Sequence, residues 1–258
     1  MAAPDRPITL VTGASSGIGA ALARRFARRG DCVILVARRH ALLEQLAAEI
    51  AAAGGRAEIS PCDVTDPAAV RACVDRVLRD HGRIDRLILN AGGGGRTPPE
   101  QLTAAEMRAA FDLNVMGVAH FVEAALPALL RQAAEGRGGH IVAIGSIAGF
   151  RGLPHAAAYG AAKAALMNYT ESLRLDLAPR GIAVTLAAPG FIVSRDTRKK
   201  RSKPLAMALD PAADLLATAI LARQSYVSFP ARLAWIARLL RLLPAALYDP
   251  LIRTLDRR

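Results

Sequence analysis

Six short runs of aliphatic and β-branched residues, each leading into a longer Ala/Leu/Arg/Glu-rich stretch, constrain this chain more than any other feature. They are ITLVT (8–12), CVILVA (32–37), AEIS (57–60), IDRLILN (84–90), HIVAIGS (140–146) and IAVTLAA (182–188). A strand with one wet face alternates apolar and polar residues, whereas a continuously apolar run suits a strand buried on both faces. The intervening segments, near 17–29, 40–53, 67–81, 100–135 and 156–178, are long enough for crossover helices. Strand–helix–strand alternation implies right-handed βαβ units, so the expected fold is α/β, a doubly wound parallel sheet in one domain. A helix near 211–223 and the short strand YVSFP (226–230) would close the sheet. The domain is expected over 1–230 and a helical extension over 231–258, with no internal repeat or linker.

A chain of 258 residues can bury a sizeable core. With 52% hydrophobic residues and only 4% aromatics, that core must be aliphatic. No window of eighteen residues is free of charge and helix breakers, which argues against a membrane-spanning helix. The start, MAAPDRPITLVTG, lacks the regions of a signal peptide. Three cysteines, Cys32, Cys62 and Cys73, without a paired spacing read as buried thiols in a reducing cytoplasm and not as a metal site. The net charge of +12 comes almost wholly from scattered arginines, since lysine occurs only at 163, 199, 200 and 203. RDTRKKRSK (195–203) is the one basic cluster, and no nucleic-acid-binding module surrounds it, so nucleic acid is not an expected partner.

The segment VTGASSGIGAALARRFARRG follows the first strand and opens the first helix. Gly13, Gly17 and Gly19 allow a tight turn and a close approach to a pyrophosphate, with Ser15, Ser16 and Ile18 completing the turn. The phosphate charge would sit against the helix amides, as in a dinucleotide-binding (Rossmann) unit. About twenty residues on, where an NAD site carries an acid for the ribose hydroxyls, Ala37 is followed by Arg38 and Arg39. A guanidinium there can clamp a 2′-phosphate that a carboxylate would repel, which favours NADP(H). The alternative is two solvated arginines in an arginine-rich chain.

HAAAYGAAKAAL (155–166) places Tyr159 and Lys163 one helical turn apart on one face, amid alanine and glycine. Alone, the pair reads as an amphipathic accident. In its setting, with TGASSGIG (12–19), CDVTD (62–66), NAGG (90–93), LNVMG (113–117), GSIAG (145–149) and PGFIVS (189–194), it resembles the short-chain dehydrogenase/reductase family in order and spacing over residues 8 to about 223. The resemblance implies Asn114, Ser146, Tyr159 and Lys163 as catalytic residues. Tyr159 would supply the proton when a hydride reduces a carbonyl, and an ammonium one turn away would lower its pKa from the free value of about 10. Ser146 would polarise the carbonyl oxygen, Asn114 would bend its helix and hold a water in a proton relay, and Lys163 would also hold the nicotinamide ribose. Further along the cofactor, Asp63 and Val64 would bracket the adenine, and Asn90, Ala91 and Gly92 would pass beneath the adenosine ribose. Pro189, Gly190 and Ile192 would line the nicotinamide. Ser194 stands where the family often carries threonine. The GGGG run (92–95) reads as a flexible loop, and His155 as a rim histidine.

After residue 223 the chain departs from the family pattern and ends in two amphipathic stretches split by Pro244. In the first, Leu233, Ile236, Leu239, Leu240 and Leu243 share a face opposite Arg238 and Arg241. This tail is loosely similar to members that reduce lipid ketones. The expectation is a cytoplasmic, homo-oligomeric reductase of a lipophilic carbonyl or alcohol substrate, able to touch a membrane surface peripherally through its tail. Two rival readings remain: an NAD-dependent dehydrogenase of a small polar alcohol or sugar, and a cofactor sensor without catalysis.

Overall fold

The computed structural model describes residues 6–193 and 205–256. Along the chain the elements are β1 (Ile8–Thr12), α1 (Gly17–Arg28), β2 (Cys32–Ala37), α2 (His40–Ala52), β3 (Arg56–Pro61), α3 (Pro67–His81) and β4 (Arg86–Leu89). There follow α4 (Ala104–Phe111), α5 (Gly117–Ala134), β5 (Gly139–Ile144), α6 (Ala157–Leu177) and β6 (Ile182–Pro189). The last elements are β7 (Ile192–Val193), β8 (Met207–Ala208), α7 (Leu209–Leu221), β9 (Tyr226–Phe229), α8 (Ala231–Leu242) and α9 (Ala245–Asp256).

Seven strands pair in parallel in the order β3–β2–β1–β4–β5–β6–β9. Strand side chains alternate between faces, so a run apolar at every position feeds two cores. Ile8, Leu10 and Ile34 join one core with Val74, Phe121 and Leu166 from α3, α5 and α6. Val11, Val33 and Leu35 join the other with Phe26, Leu43 and Leu216 from α1, α2 and α7. The chain winds outward from β1 to β3, then crosses back to β4, and the split between β1 and β4 opens a cleft at the carboxyl edge. All three cysteines are buried free thiols.

Two expectations need correcting, and one pair of strands was not expected. The stretch 100–135 is not one helix: Thr103 caps α4, its Oγ1 accepting from the Glu106 amide at 3.1 Å, and a π-helical turn, Asp112–Met116, separates α4 from α5. Asn114 causes that turn, because its Nδ2 donates to the Ala110 carbonyl at 2.9 Å and competes with the backbone ladder. The fifth strand ends at Ile144, so Ser146 lies two residues beyond it, at the start of a short 3-10 turn, Ile147–Gly149. The short parallel pair β7–β8 had no sequence signal.

The helical run Ala104–Ala134 has the length and mean hydropathy, 1.5, of a membrane span. Half of that window is buried inside the domain, and Phe121 and Leu129 on it are core residues, so it is a domain helix. The arm α8–α9 turns its faces differently from the sequence expectation. Leu233, Ala234, Ala237 and Leu240 face the domain, while Trp235, Ile236, Leu239 and Leu242 are exposed.

One buried histidine makes stability pH-dependent. His140 on β5 is 2% exposed, and its Nε2 lies 2.7 Å from Thr185 Oγ1 on β6. Burial, reinforced by the charges of Arg223 and Arg86, pulls its pKa down to about 4 from 6.5. Between those values the unfolded chain binds a proton that the folded chain refuses, so stability falls as pH falls through that window. Urea unfolding at pH 7 and at pH 4.5 should show a loss on the order of 3 kcal/mol from this residue. His140→Gln should remove that share of the slope, and an identical slope in both proteins would assign the loss to other groups.

Candidate active site

The cleft at the carboxyl edge has a volume of about 500 Å³. At its phosphate end, α1 begins at Gly17 without a side-chain cap, so its first amides stay free to meet an anion. A Cβ on Gly13 would lie 2.8 Å from Asn90 Nδ2, and one on Gly19 would lie 2.4 Å from the Gly13 carbonyl. Gly13 and Gly17 also have positive φ, 65° and 56°. The glycines are therefore required by close backbone approach and by conformation. Gly19 itself packs behind the loop and does not line the cleft, whereas Gly13, Ser15, Ser16, Gly17 and Ile18 do.

Both arginines after β2 reach this end. Arg39 donates from Nη2 to Ser15 Oγ at 2.8 Å and to Ser16 Oγ at 2.9 Å. Arg38 pairs with Asp63 at 3.5 Å. Hydrogen bonds from Thr65 and the charge of Arg38 outweigh burial and hold the Asp63 carboxyl below its ordinary range. Asp63 and Val64 face the same cleft. Thr12 fixes the floor, its Oγ1 accepting from the amides of Asn90 and Ala91, each at 2.9 Å. Uncapped amides, a glycine cradle and two arginines together fit a dinucleotide with its phosphates on α1.

At the other end, α6 carries Tyr159 and Lys163, and its small residues answer why such a pair sits among alanines. A Cβ on Gly149 would lie 2.8 Å from the Lys163 carbonyl carbon, and one on Gly160 would lie 3.2 Å from the Ala148 carbonyl oxygen. Only small side chains let α6 lie this close to the loop that bears Ser146. Lys163 is 4% exposed and donates to the Ile144 carbonyl at 2.8 Å. Burial lowers its pKa to about 8. The expectation that Lys163 depresses the Tyr159 phenol is not met in this state: burial pushes the phenol up, and a hydrogen bond from Ser146 offsets part of that. The ammonium is 5.9 Å from the ring centroid and spends its hydrogen bond on the strand carbonyl.

Asn114 is fully buried and does not line the cleft. Its Oδ1 accepts from the Gly93 amide at 3.1 Å and its Nδ2 donates to the Gly93 carbonyl at 2.9 Å, so it acts as a positioning residue for the loop under Lys163. Two glycines of the GGGG run, Gly92 and Gly94, are held by close approach. A Cβ on Gly92 would lie 2.8 Å from Asn114 Oδ1, and one on Gly94 would lie 2.3 Å from Tyr159 Cδ2. The sequence reading of the run as a flexible loop gave no sign of these two contacts, and Gly95 does have open space around it. Pro189, Gly190 and Ile192 line the reacting end as expected; Ser194 lies outside the described residues. His155, read as a rim histidine, does not line the cleft; it is at positive φ, 61°, its carbonyl accepting from the Thr97 amide at 2.8 Å.

Far from this cleft, at the amino-terminal edge of the sheet, Cys32, Glu58 and His81 bring three donor atoms within 4.8 Å, a grouping that sequence spacing did not reveal. The Glu58 carboxylate there is already paired with Arg56 and with His81, each at 3.1 Å.

Two substitutions test this geometry. Tyr159→Phe keeps the ring's packing and removes the proton donor. Oxidoreductase turnover of a CH–OH/C=O pair should fall by about 100-fold or more, with nicotinamide-cofactor affinity within a few-fold in a fluorescence titration. Gly94→Ala pushes a methyl into the tyrosine ring, so kcat should drop at least about tenfold while cofactor affinity and the melting temperature hold. Near-normal turnover in either variant would remove that residue from the mechanism.

Comparison with known proteins agrees with the fold. The sequence profile described as short chain dehydrogenase matches residues 7–205. An oxidoreductase of Myxococcus xanthus is 40% identical over 247 residues, 95% of this chain and 96% of that protein. A metagenomic short-chain oxidoreductase solved in complex with NADP is 34% identical with a TM-score of 0.73, covering 86% of this chain and 94% of that one. A 7α-hydroxysteroid dehydrogenase solved with NADH and 7-oxo glycochenodeoxycholic acid is 26% identical with a TM-score of 0.76, covering 88% and 96%. Spanning most of the domain, these likenesses make the chain a member of the short-chain dehydrogenase family, an oxidoreductase.

Proposed function

We propose that this oxidoreductase is an NADP(H)-dependent reductase of lipophilic ketones or aldehydes, working in the cytoplasm on substrate drawn from a lipid phase. The observation that carries the cofactor choice is the Arg39 guanidinium on the two hydroxyls of the phosphate loop. A 2′-phosphate needs such a forked cation, and Ala37 leaves out the carboxylate that would repel it. The NADP bound by the metagenomic relative supports the same reading.

When bound, the nicotinamide supplies the hydride to the carbonyl carbon. Tyr159 gives its phenolic proton to the carbonyl oxygen, and the Ser146 hydroxyl holds that oxygen by a hydrogen bond. Lys163, mostly protonated near neutrality with a pKa of about 8, favours the phenolate that the transfer leaves behind. Asn114 keeps the Gly93 backbone in place beneath these groups. Hydride and proton together convert C=O to CH–OH.

The substrate class is argued from the wall of the reacting end. Leu233 of α8 packs so closely on Gly190 that a Cβ there would lie 2.8 Å from Leu233 Cδ2 and 3.3 Å from Ile147 Cδ1. This aliphatic backing behind Gly190, at the nicotinamide end, favours an apolar body on the carbonyl. The 7-oxo steroid bound by the hydroxysteroid dehydrogenase relative is a ligand of that kind.

The test has two arms. NADPH should bind the unaltered protein at least tenfold more tightly than NADH, and Arg39→Ala should weaken NADPH about 10- to 100-fold with little effect on NADH. Across a carbonyl panel, long-chain and polycyclic ketones should exceed short polar ones in kcat/KM. Equal affinity for the two cofactors would overturn the NADP assignment, and preference for a small polar carbonyl would overturn the substrate class.

A further inference from the structure

The arm α8–α9 holds an apolar stripe in solvent. Trp235, Leu239 and Leu242 recur at one-face spacing and are 62%, 62% and 79% exposed, with Ile236 beside them and Leu247 and Leu251 continuing on α9. Single exposed leucines are ordinary; a row of six large apolar side chains marks a contact surface.

This arm is pinned. Arg151, five residues after Ser146, donates to the carbonyls of Leu240 and Leu243 at 2.5 and 2.6 Å, satisfying the open end of α8. Its guanidinium also stacks 3.7 Å from the Tyr248 ring centroid, and the Tyr248 hydroxyl donates to the Gly152 carbonyl. The inner side chains Ala234 and Tyr248 are buried. The stripe is thus displayed by a fixed support.

Charge identifies what covers it. Residues 231–258 contain six arginines and two aspartates, with no lysine or glutamate. Arg232 and Arg241 stand exposed beside the stripe, and Arg238 stacks on Trp235 and Tyr226 at 5.5 and 4.8 Å. A second copy placed stripe to stripe would bring two positive arms together. An anionic bilayer instead offers acyl chains to the leucines, headgroup depth to the tryptophan and negative charge to the arginines. Each helix has twelve residues, too few to cross a bilayer, so the contact lies in the plane of the surface.

We propose that α8 and α9 dock on an anionic lipid bilayer, with Trp235, Leu239 and Leu242 entering the acyl boundary and Arg232 and Arg241 meeting the headgroups. The docking is independent of which carbonyl is reduced. It sets Leu233, on the same helix, beside the membrane surface.

Flotation of the full chain, without cofactor or substrate, tests this on vesicles of phosphatidylcholine alone and with phosphatidylglycerol. The protein should float with the anionic vesicles, at least tenfold more than with neutral ones, and high salt should reduce the bound fraction. The triple variant Trp235→Ser, Leu239→Ser, Leu242→Ser should lose flotation at least tenfold while its melting temperature and its turnover of a water-soluble carbonyl hold. No flotation of the unaltered chain would overturn the proposal, as would flotation undiminished in the triple variant. A dimer that the triple variant converts to a monomer, with no flotation in either, would assign the stripe to a second copy. Because the readout needs no chemistry, failure of the reductase reading would leave this result unchanged.

Discussion

Burying an ammonium is the most demanding arrangement in this molecule, and the reacting groups take their positions from how it is done. Lys163 can reach the Ile144 carbonyl, the last of β5, only because α6 lies almost in contact with the loop that follows that strand. Gly149 backs onto the peptide of Lys163, and Gly160 onto the Ala148 carbonyl. A larger side chain at either point would lift α6 and withdraw phenol and ammonium together. The alanines and glycines of this helix are therefore a packing condition for the chemistry, and helix propensity is secondary. The same closeness sets the electrostatics, since burial weakens the hold of Lys163 on its proton and raises the phenol. A phosphate-bearing, ribose-bearing ligand beside Lys163 would favour its charged form, which is how binding and proton transfer can be linked at one residue.

The sheet was legible because strands buried on both faces leave continuous apolar runs, and five of the six crossover helices follow from what must lie between parallel strands. Asp66 with Pro67 signals the start of α3 in the sequence, and the Asp66 carboxylate does accept from Ala68 and Ala69 at 2.9 and 3.2 Å. The glycine turn and the Tyr–Lys spacing were legible for a similar reason, since each is a local geometric demand. What escaped was non-local. The resemblance gave Asn114 as the residue that bends its helix, as the π turn shows, but nothing near it in sequence says that its amide will grip Gly93, twenty-one residues earlier. Nothing near Gly94 says that Tyr159 will lie against it. Arg38 and Arg39 look alike in a string, and only the return of β3 beside β2 gives one to Asp63 and the other to the serines.

The two ends of the cleft are built from different physics. At the phosphate end the fold supplies fixed dipoles and cations: uncapped amides of α1, Arg38 and Arg39. The amides gain strength from lying at the edge of a low-dielectric core, whereas both arginines stand exposed to solvent. At the reacting end Ile147 and Leu233 lie behind Gly190, an aliphatic backing to the polar side chains that line the cleft. Charge dominates one end, and at the other the polar groups Ser146, Tyr159 and Lys163 sit against an aliphatic backing.

The last strand explains why the chain continues past the sheet. β9 is an edge, and an uncovered edge of a parallel sheet exposes unpaired backbone and apolar side chains. α8 begins two residues after β9 and covers that side with its smaller residues, Ala234 and Ala237, together with the half-buried Leu233 and Leu240. An ordinary amphipathic helix turns its largest apolar residues inward and its charges outward. Here alanine takes part of the inward face, while tryptophan and two leucines are left outside. Packing against the domain therefore accounts for only half of the helix's apolar surface. The Arg151 contacts that hold α8 in place serve the half that packing does not explain, because a helix free to roll would turn those leucines into the domain.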